Sequence, residues 1–288
     1  MYKLEKNYRN NDTLRKSFNE LAQKTFGFDF EDWYQNGFWG DNYNPYSIVI
    51  DGKVVSNVSV NKTDMLTDGE VKHFLQLGTV MTDEQYRNKG LSRMLMEQIE
   101  LDYAGKVDGI YLFANDSVLD FYPKFGFQKA KEYQYSGKVF NLGKNHLEQA
   151  VMNNPDAWKK LQDAMEHTIL HGKCDMVNND GLIMFYVSGF MQENVFYHKD
   201  TDTYIIAELE DGKLFIHNVF SSTISNLETV IELFGKDVDE VTLGFAPANE
   251  NGYEAVEIDE EDTTFFIKGD GMKVVETEKL RIPSLAHA

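Results

Sequence analysis

The sequence predicts an α/β protein built as two units, each around a mixed sheet, and three observations lead there. Strand-type segments are joined by Asp-Gly pairs at 51–52, 68–69 and 211–212, the strongest short signal for a two-residue hairpin turn. After the second and third pairs the order is strand, helix, strand. Such a crossover is right-handed and puts one parallel pair into an otherwise antiparallel sheet. Finally, 288 residues with 42% hydrophobic, 26% charged and 13% aromatic content suit about two packed domains and not a disordered chain.

The elements follow in order. Met1–Tyr8 reads as a short strand. Asn11-Asp12-Thr13 opens a helix in which Leu14, Phe18, Leu21 and Ala22 recur at helical spacing. Asp29–Phe38 gives a second short helix carrying Trp33 and Tyr34. Strands are expected at Tyr46–Ile50, Val54–Val60 and Val71–Thr82, and a helix over Lys89–Tyr103 with Leu91, Met94, Leu95, Ile99 and Tyr103 on or near one face. Gly109–Ala114 is a buried-type strand, Val118–Phe121 starts a further helix, and Tyr133–Val139 is a strand. Polar Asn141–Asn154, with Gly143 and then Pro155, reads as the joint between a domain at 1–145 and one at 150–288. The second unit is expected to hold a helix at Ala157–His171, strands at Leu182–Val187, Asn194–His198, Thr203–Leu209 and Leu214–Phe220, a helix at Thr223–Phe234, and strands at Val241–Phe245, Thr263–Ile267 and Met272–Val275. Its turn–strand–helix–strand order parallels the first unit with a shorter strand-to-helix connection, which suggests a degenerate repeat.

The formal net charge is −19, and residues 151–288, with 10 Lys+Arg against 26 Asp+Glu, carry −16 of it. That field disfavours nucleic acid and anionic membrane and favours a cationic partner, or serves only solubility. A single cysteine, Cys174, permits no internal disulfide. The start, MYKLEKNYRN, has no apolar signal-peptide stretch, and the longest apolar run, near 181–191, is too short to span a bilayer. The expectation is a cytoplasmic protein, with room for a homodimer.

Chemistry concentrates in Leu75–Met94, LQLGTVMTDEQYRNKGLSRM. A strand ends, a loop with Arg87, Lys89 and Gly90 follows, and a helix begins near Leu91. A helix start presents free N–H groups and a positive dipole end, and Gly90 can take a positive φ and let an anion approach the backbone. Together these make a pyrophosphate cradle. On spacing alone, a strand-to-helix loop with a solvated basic patch reads equally well.

Arg87-x-x-Gly90-x-Ser92 resembles the Arg/Gln-x-x-Gly-x-Gly/Ala signature of GNAT acetyltransferases. Asn115-x-x-Val118-x-x-Phe121-Tyr122-x-Lys124-x-Gly126-Phe127 resembles that family's second pattern, at the expected distance. The resemblance covers roughly residues 1–140. It implies a GNAT fold with splayed central strands and acetyl-CoA as cosubstrate. It further implies that the backbone of Val80, Met81 and Thr82 pairs with the pantetheine arm, that the amides of Arg87, Asn88, Lys89, Gly90, Leu91 and Ser92 hold the pyrophosphate, that Asn115 lies beside the pantetheine, and that Tyr122 protonates the leaving thiolate. Ser92 and Val118 depart from the pattern: the serine hydroxyl either bonds a phosphate or crowds it, and the valine is a packing change. The implied reaction is direct attack of a small amine, cationic to match the acidic second unit, on the thioester; the alternative is a non-catalytic acyl-CoA-binding or regulatory protein.

A base must accept the amine's proton. The position where some family members carry Glu is Gln76 here, which cannot serve, and His73 points to the opposite face of the strand. Asp29, Glu31 and Asp32 lie in the segment that usually borders the acceptor site, where they either meet a cationic acceptor or form solvated surface. His167, His171 and Cys174 have metal-like spacing but no evident fourth ligand, so no metal is expected. The acidic stretches at 199–203 and 257–262 have no EF-hand pattern.

Overall fold

A computed structural model describes residues 2–140 and 143–287. Met1, Asn141 and Leu142, at the margins of the first expected strand and of the expected joint, lie outside them. The first half contains β1 (Lys3–Lys6), α1 (Asp12–Phe26), α2 (Glu31–Gln35), β2 (Tyr43–Ile50), β3 (Lys53–Thr67), β4 (Glu70–Thr82), α3 (Leu91–Tyr103), β5 (Gly109–Ala114), β6 (Gln128–Lys129) and β7 (Tyr133–Lys138). The Asp-Gly pairs turn as expected, with Asp51 and Asp68 at φ 49° and 52° and their glycines also positive. Asn11 caps α1 by accepting from the Leu14 amide, and Gly27 ends it in the left-handed conformation.

The second half contains β8 (Glu148–Gln149), α4 (Pro155–Glu166), β9 (Cys174–Val177), α5 (Asp180–Ser188), β10 (Val195–His198), β11 (Thr203–Glu210), β12 (Lys213–Phe220), α6 (Leu227–Glu232), β13 (Glu240–Leu243), β14 (Glu254–Glu257), β15 (Thr264–Lys268) and α7 (Val274–Thr277). Four expectations change. Leu182–Val187 is the helix α5, not a strand; a short apolar run buried on most sides has no periodicity to separate the two. Met272–Val275 spans a 3-10 turn and the start of α7, after Gly269 turns the chain at φ 100°. The helix expected from Val118 is two 3-10 turns, Asp116–Val118 and Tyr122–Phe125. Of Thr223–Phe234 only Leu227–Glu232 is α-helical, because Asn226 caps it late.

Two mixed sheets result. The first runs β1-β2-β3-β4-β5-β15-β6, with β9 on the far end of β3; the second runs β14-β7-β13-β12-β11-β10-β8. Each has one parallel pair at the end of its crossover, β4 with β5 and β12 with β13. The second sheet thus repeats the element order of the first. The strands are not partitioned at residue 145, however. β7, from the first half, pairs antiparallel with β13, while β15, from the second half, pairs antiparallel with β5. Each unit completes the other's sheet.

The halves are also sealed by side chains. The indole Nε1 of Trp33 donates to the Gly181 carbonyl at 2.7 Å, docking α5 on α2. Phe18, Phe30, Trp39, Ile183, Met184 and Val187 share one buried cluster across the seam. Beyond β15 the chain returns through Leu280–Ala286, buried apart from half-buried Ser284, and Tyr111 on β5 donates to the Ala286 carbonyl at 3.0 Å. Glu132 is buried and accepts from the Ile282 amide at 2.8 Å.

Burial pushes the Glu132 carboxyl up to about 7, against the pull of Arg281 and the Ile282 amide. A carboxyl whose folded pKa is raised stabilises the fold fully below its unfolded value and loses that contribution as pH rises through the folded one. Stability should therefore fall between about pH 4.5 and 7, by at most about 3 kcal/mol from this group. Urea denaturation of Glu132→Gln against the parent should show a flatter pH profile and a gain above pH 7.

Candidate active site

β4 and β5 pair only over Phe74–Gln76 against Gly109–Tyr111. Past Gln76 and Tyr111 the two strands separate, and the wedge between them opens a cleft of about 910 Å³. The separation has a local cause. Ser59 pairs with Gly78 but Asn57 with Met81, so β4 carries an extra residue there. Such a bulge bends and over-twists the strand that bears it. Thr79 sits in it at φ 47°, a conformation a β-branched residue rarely adopts. It is held there by the Tyr43 hydroxyl, 2.5 Å from its Oγ1, and by Asn57 Nδ2 donating to its carbonyl at 2.9 Å.

One wall is the loop and helix start in which the sequence suggested a cradle. Gly90 takes φ 75° and Asn88 φ 62°, turning the loop so that α3 starts at the cleft with its first amides unbonded within the helix. A side chain at Gly90 would meet nothing within 4 Å, so the glycine is required by its φ and not by crowding. Val80, Met81, Thr82, Arg87, Asn88, Gly90, Leu91, Ser92 and Asn115 all line the cleft. Lys89 does not; its ammonium lies 4.7 Å over the Tyr86 ring. The Ser92 hydroxyl lies 3.0 Å from Thr82 Oγ1, tying the helix start to the end of β4.

Tyr122 lines the same cleft from the 3-10 turn, packed against Phe121, Phe127 and Phe266. Burial pushes its phenol up to about 12. It is therefore protonated across the working pH range and has a proton to donate.

The expected acceptor residues divide. Gln76 faces the cleft, buried, 3.5 Å from Asn61 in a chain of amides that continues to Asn179 of the second half. His73 does point away: its Nδ1 meets Asp64 at 2.7 Å on the exposed face, and that carboxylate raises its pKa. Asp29, Glu31 and Asp32 are absent from the cleft lining. Glu31 takes both Arg15 nitrogens, at 3.0 and 3.2 Å, together with Asn19 and Gln35, and Arg15 holds its carboxyl below the usual range. It clamps α2 to α1. Asp29 accepts the Glu31 amide, and Asp32 is exposed.

The opposite wall carries residues with no signature in the sequence. Phe28, Phe30, Trp33 and Tyr43 come from the first half, and Phe185, Tyr186 and Phe190 from the second, joined by His287. Trp33 could be read only as a helix-face aromatic. The contribution of α5 was hidden by its reading as a strand, and His287 stands far along the chain from every motif. Cys174 and His171 are buried and make no metal site; among the described residues no group of three or more such side chains could hold a metal ion. No helix among them is long and apolar enough to cross a membrane.

Gly181, where α5 docks, has no room for a side chain: a Cβ would fall 2.5 Å from the Phe38 carbonyl oxygen. Gly181→Ala should cost about 1–3 kcal/mol, read as a lower urea midpoint at unchanged slope.

Comparison with known proteins agrees with this geometry. The profile of the GNAT acetyltransferase domain matches residues 9–130. Among solved structures, a conserved protein of Enterococcus faecalis described as "Probable N-Acyltransferase" superposes with a TM-score of 0.64 at 15% identity, over 94% of this chain and 73% of that one. A GCN5-related N-acetyltransferase from Kribbella flavida gives 0.58 at 15% identity, over 93% and 72%. Eis1 from Mycobacterium abscessus gives 0.57 at 11%, over 92% and 73%. At these identities the solved structures speak for the fold alone, and among curated proteins none matches this chain by sequence. Residues 9–130 thus match the GNAT acetyltransferase domain, and the chain as a whole has the fold of two-unit GNAT-like structures.

Proposed function

We propose that the protein moves the acetyl group of acetyl-CoA to the primary amine of a small acceptor by direct attack. The observation that carries this reading is the continuity of one cleft from the left-handed Gly90 at the α3 start, along the unpaired edge of β4, to the Tyr122 hydroxyl. Free backbone groups at Val80–Thr82 suit an extended amide-bearing arm, as an added strand would. The α3 amides with Arg87 and Arg93 suit its diphosphate. Asn115 lies on the opposite lip.

In the reaction the amine lone pair attacks the thioester carbonyl, the new C–N bond forms, and collapse of the tetrahedral intermediate breaks the C–S bond. One amine proton is lost and one is gained by sulfur. Tyr122 gives its phenol proton to the developing thiolate, and the phenolate so formed takes up the proton lost by the amine. Holding both reactants in one cleft supplies much of the acceleration.

Gln76, an amide where a carboxylate base would stand, favours the second reading, a CoA-binding protein without turnover. Tyr122→Phe separates the two. On the transfer reading kcat falls by roughly 10²–10⁴ while the Kd for CoA stays within about twofold. The assay is thiol release from acetyl-CoA with a panel of amines. Tight CoA binding with no thiol released by any amine supports the second reading.

A further inference from the structure

Beyond the wedge, the cleft ends in a chamber walled by aromatic rings from both halves. Phe30 is stacked between Tyr43 and Phe185, 5.5 Å from each ring centre. Trp33 meets the same two rings edge-on, at 5.3 and 5.4 Å. At the mouth Phe28 and Phe190 meet edge-on at 5.3 Å, and Phe190 is 58% exposed.

The chamber offers almost nothing to a polar ligand. No Asp or Glu is among the described residues lining the cleft, and its cations, Arg87, Arg93 and Lys124, belong to the start of α3 and the Tyr122 turn. The Trp33 indole is committed to Gly181, the Tyr43 hydroxyl to Thr79, and the Tyr186 hydroxyl donates to the His287 carbonyl. One atom stands apart. His287 Nε2 is buried without a hydrogen-bond partner, on a ring stacked 3.9 Å over Phe113. Burial lowers the pKa of the imidazole to about 3, against a hydrogen bond to the Ile282 backbone that favours protonation, so the ring is neutral. The unpartnered Nε2 of the neutral ring is then an acceptor and not a donor, on a residue that lines the cleft.

We propose that this chamber takes the apolar body of the acceptor, an arylalkyl or alkyl primary amine, whose N–H is accepted by His287 Nε2. The proposal rests on the transfer reading and narrows its substrate class. A polyamine or amino sugar would leave charges or hydroxyls against rings that cannot replace their water, whereas a phenyl or alkyl group gains edge and face contacts on every side. The acidic surface of residues 151–288 then has no part in binding inside the cleft. A lengthened acyl chain on CoA is the other source of an apolar group at this place.

The test uses the full chain. Thiol release from acetyl-CoA is measured with a linear alkylamine series, phenethylamine, spermidine and glucosamine, and separately with hexanoyl-CoA and one short amine. The expected result is a kcat/KM that rises roughly fourfold per methylene of the amine until the chamber fills, with phenethylamine well above spermidine and glucosamine. Phe190→Ala and His287→Phe should each lower kcat/KM for phenethylamine by tenfold or more while the Kd for CoA is unchanged. Higher kcat/KM for spermidine or glucosamine overturns the proposal while transfer stands. So does a gain from hexanoyl-CoA without one from longer amines. If CoA binds and no amine turns over, the transfer reading falls. The chamber is then judged by saturable quenching of tryptophan fluorescence with phenethylamine, expected in the parent and weakened in Phe190→Ala; its absence overturns the proposal too.

Discussion

Everything at the site depends on an exchange of strands. β15 lies between β5 and β6 in the first sheet, and β7 lies between β13 and β14 in the second. A sheet cannot end its β5 edge in open hydrogen-bonding groups without cost, so neither unit is complete alone. The exchange also fixes where the second half begins its return. From β15 the chain runs through a turn and α7 into Leu280–His287, which brings an imidazole to a cleft whose cofactor wall is built near residue 90. The second unit is therefore part of the active-site architecture, through α5 above the aromatic wall and through this returning segment.

The wedge depends in turn on one strained residue. A bulge with Thr79 at a positive φ is costly, on the order of 1–3 kcal/mol, and persists because Tyr43 and Asn57 over-determine it. The same tyrosine forms part of the chamber wall. The geometry of β4 and the ring packing of the opposite wall are thus coupled through a single phenol.

The loop and helix start proposed to hold the cofactor were legible in the sequence because their geometry is local. A helix start, a left-handed glycine and a strand end lie within Val80–Ser92, and a second motif follows from Asn115. Hairpins at Asp-Gly pairs were legible for the same reason. The acceptor side was not. Phe30 and Phe185 stack across 155 positions of sequence, and no short-range pattern encodes such a meeting. Glu31 looked like an acceptor ligand because its segment usually borders the acceptor site in the family it resembles, yet its partner Arg15 comes from the preceding helix. α5 was misread because a run of seven residues flanked by glycines has too little length for its period to show. The strand exchange left no trace either, since β7 and β15 read as ordinary strands and only the fold assigns their sheets.

The exchange bears on how the protein is made. During synthesis a domain ordinarily folds once its own residues have emerged, the first before the second. Here the first sheet cannot close until Thr264–Lys268 has left the ribosome, about half the chain after β5. Until then β5 offers a bare edge of alternating aromatic and aliphatic side chains, Tyr111, Leu112 and Phe113 among them. The nascent first unit therefore stays unsealed at its β5 edge until β15 has been made.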